Sequence, residues 1–334
     1  MKALTPKFFI SIGVSLLILG VIYWKIDIVN IKDVLVQVDV PVFIGALLIL
    51  IPITLLSALR FRMLLSGENK PSLGLATKLI LAGSTMNVVL PSKMGDMLKS
   101  IFMRDALKMR GSFAVSVVVF EKGCDLLGLL AWCLLGLVVY AGDDEFLIIL
   151  ALVIGGGLGF GTLMLSALSF SDWFLRLVVR MVPSKLADKF DNLRKSWAEV
   201  HEFFWRSKRA VIIIVALTLF IWFLHLLQIW LLAKALNAPV PLLSSLGLSS
   251  LALLAGLMPL TLAGVGTRDA AAIYLFAPFM TAPAGAALGL MLTLRYILPG
   301  LAGLPFLAEY LDVLRKQRIR DLATLTVGEK IGSE

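Results

Sequence analysis

Glu121, Lys122 and Asp125 interrupt a run that is otherwise apolar over 112–140. Four residues separate Glu121 from Asp125, so a helix presents both on one face, and Lys122 lies three residues from Asp125, within pairing reach. His225 and Gln228 fall inside a second apolar run, and Arg295 falls near the centre of a third. An ion at the centre of a membrane helix costs about 2.5–3.5 kcal/mol on insertion scales, so such residues turn inward and mark a pathway or a site. Acids and bases nearly balance in this set, which fits a hydrated polar cavity better than a simple pore. The structural alternative is a set of buried ion pairs, Glu121 with Arg295 for example. His225 taken alone reads first as a packing residue.

Two further clusters stand where apolar runs break. The first reads Asn87-Val-Val-Leu-Pro91-Ser-Lys-Met-Gly95-Asp96-Met-Leu-Lys99, and the second Met258-Pro259-Leu-Thr-Leu-Ala-Gly264-Val-Gly266-Thr267-Arg268-Asp269. In each, a proline precedes a glycine by four or five residues and an acid stands near a base. Proline ends the incoming half-helix because it lacks an N–H and clashes with the preceding turn. Glycine permits a sharp turn and close backbone approach. Ser92 and Thr267 are the expected N-caps of the outgoing half-helices. Free N–H groups at a helix start favour anions, and Arg268 adds to that preference. The plain alternative is that Gly and Pro kink two packed helices.

The elements that position these groups follow from hydropathy. Of 334 residues, 59% are hydrophobic and only 16% charged, against roughly 25% charged in soluble domains, so the apolar excess needs lipid. A full span takes about 20 mostly apolar residues. Six stretches qualify: 8–24, 40–59, 112–140, 146–170, 210–236 and 284–307. The segments 73–106 and 244–280 are shorter in their apolar parts and broken in the middle. The first stretch ends in Tyr23 and Trp24 with no small-residue cleavage pattern, so it reads as an anchored span rather than a signal peptide.

Loop charges set the orientation. Lys2 and Lys7 put the N-terminus inside, and the net-negative stretch from Lys25 to Asp39 goes outside. Arg60, Arg62 and Lys70 follow the second span, and Lys99, Arg104, Lys108 and Arg110 flank the far side of the first broken segment, so both its ends belong inside. Asp143, Asp144 and Glu145 are external, the basic stretch from Asp172 to Arg209 is internal, and Arg315, Lys316, Arg318 and Arg320 return inside. The net charge of +9 is thus explained by topology, without nucleic acid. Leu186, Phe190, Leu193, Trp197, Val200 and Phe204 form one helical stripe, read either as a helix on the headgroups or as a linker packed on the bundle.

The expected fold is an all-α polytopic membrane protein of about six full transmembrane helices plus two re-entrant hairpins in an inverted repeat, a plan shared by many transporters. The expected divisions are 1–39 (first helix and external loop), 40–140 (first repeat), 141–209 (fourth helix and cytoplasmic amphipathic helix), 210–314 (second repeat) and 315–334 (basic tail). The hairpins occupy about 73–106 and about 244–280.

Enzyme signals are thin. HExxH, CxxC, GxSxG and Walker patterns are missing from the sequence, and His201 is the other histidine, so neither a histidine-based metal site nor a cofactor is expected. A carboxylate pair, Glu121 with Asp125 or Asp96, leaves catalysis open. Cys124 and Cys133 both fall in the third span and read as packing residues.

Together the run from Asn87 through Pro91, Gly95 and Asp96 to Lys99, the Glu121-Lys122…Asp125 cluster and the Gly264-Val-Gly266-Thr267-Arg268-Asp269 run resemble the transmembrane region of lysylphosphatidylglycerol synthases, the flippase-like family. The resemblance covers nearly the whole chain. Family members often carry glutamate where this chain has Asp96 and Asp269, which keeps the charge and shortens its reach. The resemblance implies lipid handling; with the loop charges, the expected place is the cytoplasmic membrane with both termini cytoplasmic. The chain ends soon after the sixth span, so aminoacyl transfer by a soluble domain is not expected. Under this reading Arg268, Arg295 and Lys99 neutralise phosphate, while Asn87 and the amides around Gly264, Gly266 and Thr267 donate hydrogen bonds. Glu121, Lys122, Asp125, Asp96, Asp269 and His225 support them, and Pro91, Gly95 and Pro259 mark the hairpin breaks. The implied partners are membrane lipids, anionic ones first, with a lipid-modifying enzyme or glycosyltransferase and self-association left open. The rival functions are an intramembrane lipid-modifying enzyme and an accessory subunit of a lipid-modifying or cell-envelope glycosyltransferase system.

Overall fold

The computed structural model describes residues 6–26, 28–65, 70–89, 95–140, 144–181, 184–258, 261 and 264–331. Pro91, Ser92, Pro259 and Asp143 lie outside these residues, and the side chains of Tyr23, Leu186 and the tail bases from Arg315 onward are not described either. In chain order the helices are α1 (Pro6–Lys25), α2 (Ile28–Val36), α3 (Val40–Leu48), α4 (Leu50–Met63), α5 (Leu73–Val89), α6 (Gly95–Ala106) and α7 (Gly111–Tyr140). Then follow α8 (Glu145–Ser166), α9 (Leu168–Met181), α10 (Ser184–Trp205), α11 (Lys208–Ala235), α12 (Leu242–Ala255), α13 (Thr267–Leu275) and α14 (Ala282–Ile331). No strand occurs among the described residues.

Five of these helical stretches are long and apolar enough to cross a membrane: Val40–Met63, Gly111–Val139, Glu145–Ser166, Lys208–Ala235 and Ala282–Asp312. They match five of the six expected spans, and the sixth expectation coincides with α1. The Val40–Met63 span is divided at Ile49, between α3 and α4, where the backbone stays helical. Pro52 explains the division, since it has no N–H for the carbonyl of Leu48. Residues such as Leu152 on α8, 72% exposed, turn outward, as a lipid-facing helix requires.

Each of the two broken segments folds as a pair of helices packed on one another. α5 packs against α6, and α12 against α13. All four arms are shorter than the roughly 20 residues needed to span. The packing is the same in both halves. α4 meets α5 as α11 meets α12; α6 meets α7 as α13 meets α14; and the first arm of each hairpin leans on the long helix of the other half, α5 on α14 and α12 on α7. These cross-contacts are backbone-close. A Cβ on Gly303 would stand 2.1 Å from the Leu81 carbonyl oxygen, and one on Gly136 would stand 2.4 Å from the Gly247 Cα. The Thr85 hydroxyl adds a 2.7 Å bond to the Gly300 carbonyl across the α5–α14 contact.

Several local expectations are corrected. The fourth span stops at Ser166 rather than Phe170, because Ala167 takes an extended conformation and α9 begins beyond it. The Trp205 indole N–H bonds the Leu165 carbonyl there at 2.8 Å, which satisfies a group the helix end leaves open. The stretch expected as an external loop contains α2, which packs on α14. Of the two readings of the 186–204 stripe, packing on the bundle holds for Trp197, Val200 and Phe204, which are buried in a core with Phe61, Phe102 and Phe120. A second core joins Ile31, Ala46, Ile229, Phe276 and Leu288.

Candidate functional site

Each hairpin break brings backbone and charge together through its glycines. At the start of α6, Gly95 sits so close to α5 that a Cβ would come within 2.3 Å of the Asn87 nitrogen. This approach lets the Asp96 N–H donate to Asn87 Oδ1 at 3.2 Å and places Asp96 in the first turn, where a helix favours an acid. At the start of α13, Gly264 and Gly266 have φ of 78° and 101°, a region open to glycine and costly for other residues. Gly266 is the N-cap, so the expectation for Thr267 is corrected: Thr267 is the first helical residue. Its hydroxyl turns instead to that of Thr261 at 2.9 Å. The Asp269 carboxylate takes over the capping, accepting the Gly266 N–H at 3.0 Å on one oxygen. Its other oxygen accepts two bonds from Arg268, at 3.0 and 2.8 Å, and Arg268 also donates to Thr293 Oγ1 at 2.8 Å.

The intramembrane charges on α7 meet the first hairpin. Glu121 pairs with Lys99 of α6, both side chains being 1% exposed. Lys122 lies 3.1 Å from Asp96 and 3.0 Å from Asp125. Arg60 of α4 closes the cluster, 2.6 Å from Asp125 and 3.9 Å from Glu121, with a 3.1 Å bond to Thr218 on α11. Three bases and three acids from three helices thus form one network, and α11 joins it through Thr218. Arg60 was expected as a flanking loop base, and the structure buries it to 2%. Its signal was a polar stripe, Thr54, Ser57 and Arg60, at three-residue spacing on one face of α4. A window that averages hydropathy does not register such a stripe. The suggested Glu121–Arg295 pair is also corrected. Arg295 meets His225 instead, its Nη2 standing 2.6 Å from Nδ1.

All of this surrounds one cavity of about 530 Å³. Both hairpins and α4, α7, α11 and α14 contribute to its wall. Four basic side chains line it (Arg60, Lys122, Arg268 and Arg295) against three acidic ones (Asp96, Glu121 and Asp125). Asn87 and His225 line it too. Lys99 stands behind the wall with Phe61, whose ring is 4.5 Å from its Nζ. Gly264, Gly266, Thr267 and Asp269 form the turn that carries Arg268 and lie off the wall. Glu121 lies ten residues into α7, about 15 Å along its axis. That is near half the thickness of a bilayer core of roughly 30 Å. Leu50, Ile53, Leu126 and Leu257 give the cavity an apolar flank. Among the described residues, no group of three or more His, Cys, Asp or Glu side chains gathers to hold a metal. The cavity wall offers fixed positive charge and hydrogen-bond donors beside apolar surface.

Comparison with known families gives a match to the lysylphosphatidylglycerol synthase TM region over residues 8–303. No curated protein matches the chain.

Proposed function

The chain belongs to the lysylphosphatidylglycerol synthase TM region family, a multi-pass membrane protein matched over 8–303, and we propose that it is a lipid translocase. It moves an anionic or phosphate-bearing lipid, such as a phospholipid or polyprenyl-linked glycolipid, between leaflets. The headgroup crosses in the polar cavity while the tails stay in lipid against its apolar flank. The observation that carries this reading is the charge of the cavity wall. Its bases outnumber its acids by one, and Arg295 has no carboxylate within 4 Å among the described residues. A buried cation without a counter-ion is costly, and an anionic headgroup supplies what is missing.

The orientation belongs to the same proposal. Loop bases favour the cytoplasmic membrane with both termini inside. The hairpins dip in from opposite leaflets as parts of an inverted repeat spanning 40–140 and 210–314, which their equivalent packing supports. Broken backbone at this depth is tolerated where it lines a wet cavity. The test is reconstitution into liposomes with a headgroup-labelled phosphatidylglycerol. Leaflet exchange should accelerate with the native protein and fall to background with Arg295→Gln or Arg268→Ala at unchanged folding. Exchange equal to that of empty liposomes, or undiminished in both variants, would sink the reading. Chemical conversion of the lipid would put an intramembrane enzyme in its place.

A further inference from the structure

The contact between Arg295 and His225 carries information about protons. A guanidinium has five donors and no acceptor. Arg295 Nη2 stands 2.6 Å from His225 Nδ1. Nδ1 must therefore be the acceptor, and the imidazole is neutral with its proton on Nε2. A proton added to Nδ1 would turn this hydrogen bond into two donors and two positive charges face to face. An anion placed between them removes both conflicts, since each non-bridging oxygen of a phosphodiester can accept from one of the two cations.

We propose that Arg295 and His225 form a proton-coupled anion latch, in which a phosphodiester headgroup binds at Arg295 together with one proton taken up by His225 from water. The proposal rests on the translocase reading and adds its coupling ion. One negative and one positive charge enter together, so the loaded cavity keeps the charge of the empty one. Loading is electroneutral, and each ligand favours the binding of the other by linkage.

The surroundings single out this pair. On α14, Arg295 and its neighbour Tyr296 face the cavity beside His225. From α4 comes Arg60, taken by Asp125. From α7 come Glu121, Lys122 and Asp125, each in an ion pair with Lys99, Asp96 or Arg60. From α13 comes Arg268, held by Asp269. The α3 and α12 helices pack on α11 and bring no ionisable side chain. α10 packs near Val211 and Ile214, three turns before His225.

The test uses the full chain in detergent with dioctanoyl phosphatidylglycerol, whose phosphodiester keeps a single charge throughout the range. Isothermal titration in buffers of different ionisation enthalpy should show uptake approaching one proton per lipid bound. Affinity should weaken between about pH 6 and about pH 8, by up to about tenfold per unit. His225→Gln keeps an amide oxygen to accept from Arg295 and cannot take the proton, so it should bind with no pH dependence. Glycerophosphoglycerol, the headgroup without tails, runs alongside. Uptake with both ligands supports a latch that reads the phosphodiester itself, and uptake with the lipid alone supports a latch engaged by membrane lipid. Binding without proton uptake, or an unchanged pH dependence in His225→Gln, overturns the latch and leaves the translocase standing. Absence of binding by both ligands at every pH overturns both.

Discussion

Lys99 on α6 and Glu121 on α7 form an ion pair whose two side chains are each 1% exposed, and Arg60 stands 3.9 Å from the same carboxylate. The first turns of α6 are thereby fastened to the long α7 span. Two buried charges that satisfy one another become a liability once separated. Lys99→Met should lower stability by about 3–5 kcal/mol, because Glu121 is left charged and buried. The double variant K99M/E121L should recover most of that loss. Thermal unfolding in detergent checks both, and equal instability of the single and double variants would mean that the pair is not the fastening.

Close helix crossing makes a second expectation. A side chain on Gly303 runs into the Leu81 carbonyl, a backbone atom that cannot move aside. Gly303→Val should push α5 from α14, break the Thr85–Gly300 bond and cost about 1–3 kcal/mol or more. Gly156→Ala on α8 meets nothing within 4 Å and should melt as the native protein does.

Water in the cavity can be read by thiol chemistry. Cys124 and Cys133 are buried and can be changed to alanine to clear the background. In that background Ser84→Cys, on the cavity wall, should react with a membrane-impermeant maleimide. Ser249→Cys, fully buried away from the wall, should stay unreactive. A silent Ser84→Cys in folded protein would argue for a dry cavity.

His201 on α10 gives a pH signature outside the membrane-spanning helices. Burial holds its imidazole below the ordinary histidine value, and Nε2 has no partner among the described residues. In the unfolded chain the group titrates at about pH 6.5. Below that pH the unfolded state binds a proton that the folded state resists, so stability falls as pH drops from about 6.5 toward the folded value. His201→Phe should flatten this slope in melting curves taken between about pH 5 and about pH 7.5. An identical slope in the variant would assign the acid sensitivity to other groups.

Much of the architecture was local enough to be read directly. Continuous apolar length found the spans, and the first broken segment begins and ends where α5 and α6 do, at Leu73 and Ala106. The spacing of Glu121, Lys122 and Asp125 foretold a shared face and the Lys122–Asp125 contact, because helical periodicity depends on neighbours within a turn. The α9 helix was hidden because Leu168 to Phe170 extends the hydropathy of α8, while its start depends on the dihedral angles of Ala167.

The sequence by itself determined that this chain lives in lipid, that two of its apolar runs are interrupted by Gly and Pro, and that it carries ions where ions are expensive. Those properties follow from transfer free energies and backbone sterics, which each short stretch expresses on its own. Tertiary structure alone decided which charges pair between helices. Arg60 reaches Asp125 across 65 residues, and Arg295 reaches His225 across 70. A charge several residues into an apolar helix has many potential partners at equal sequence cost, and only the crossing of packed helices selects one.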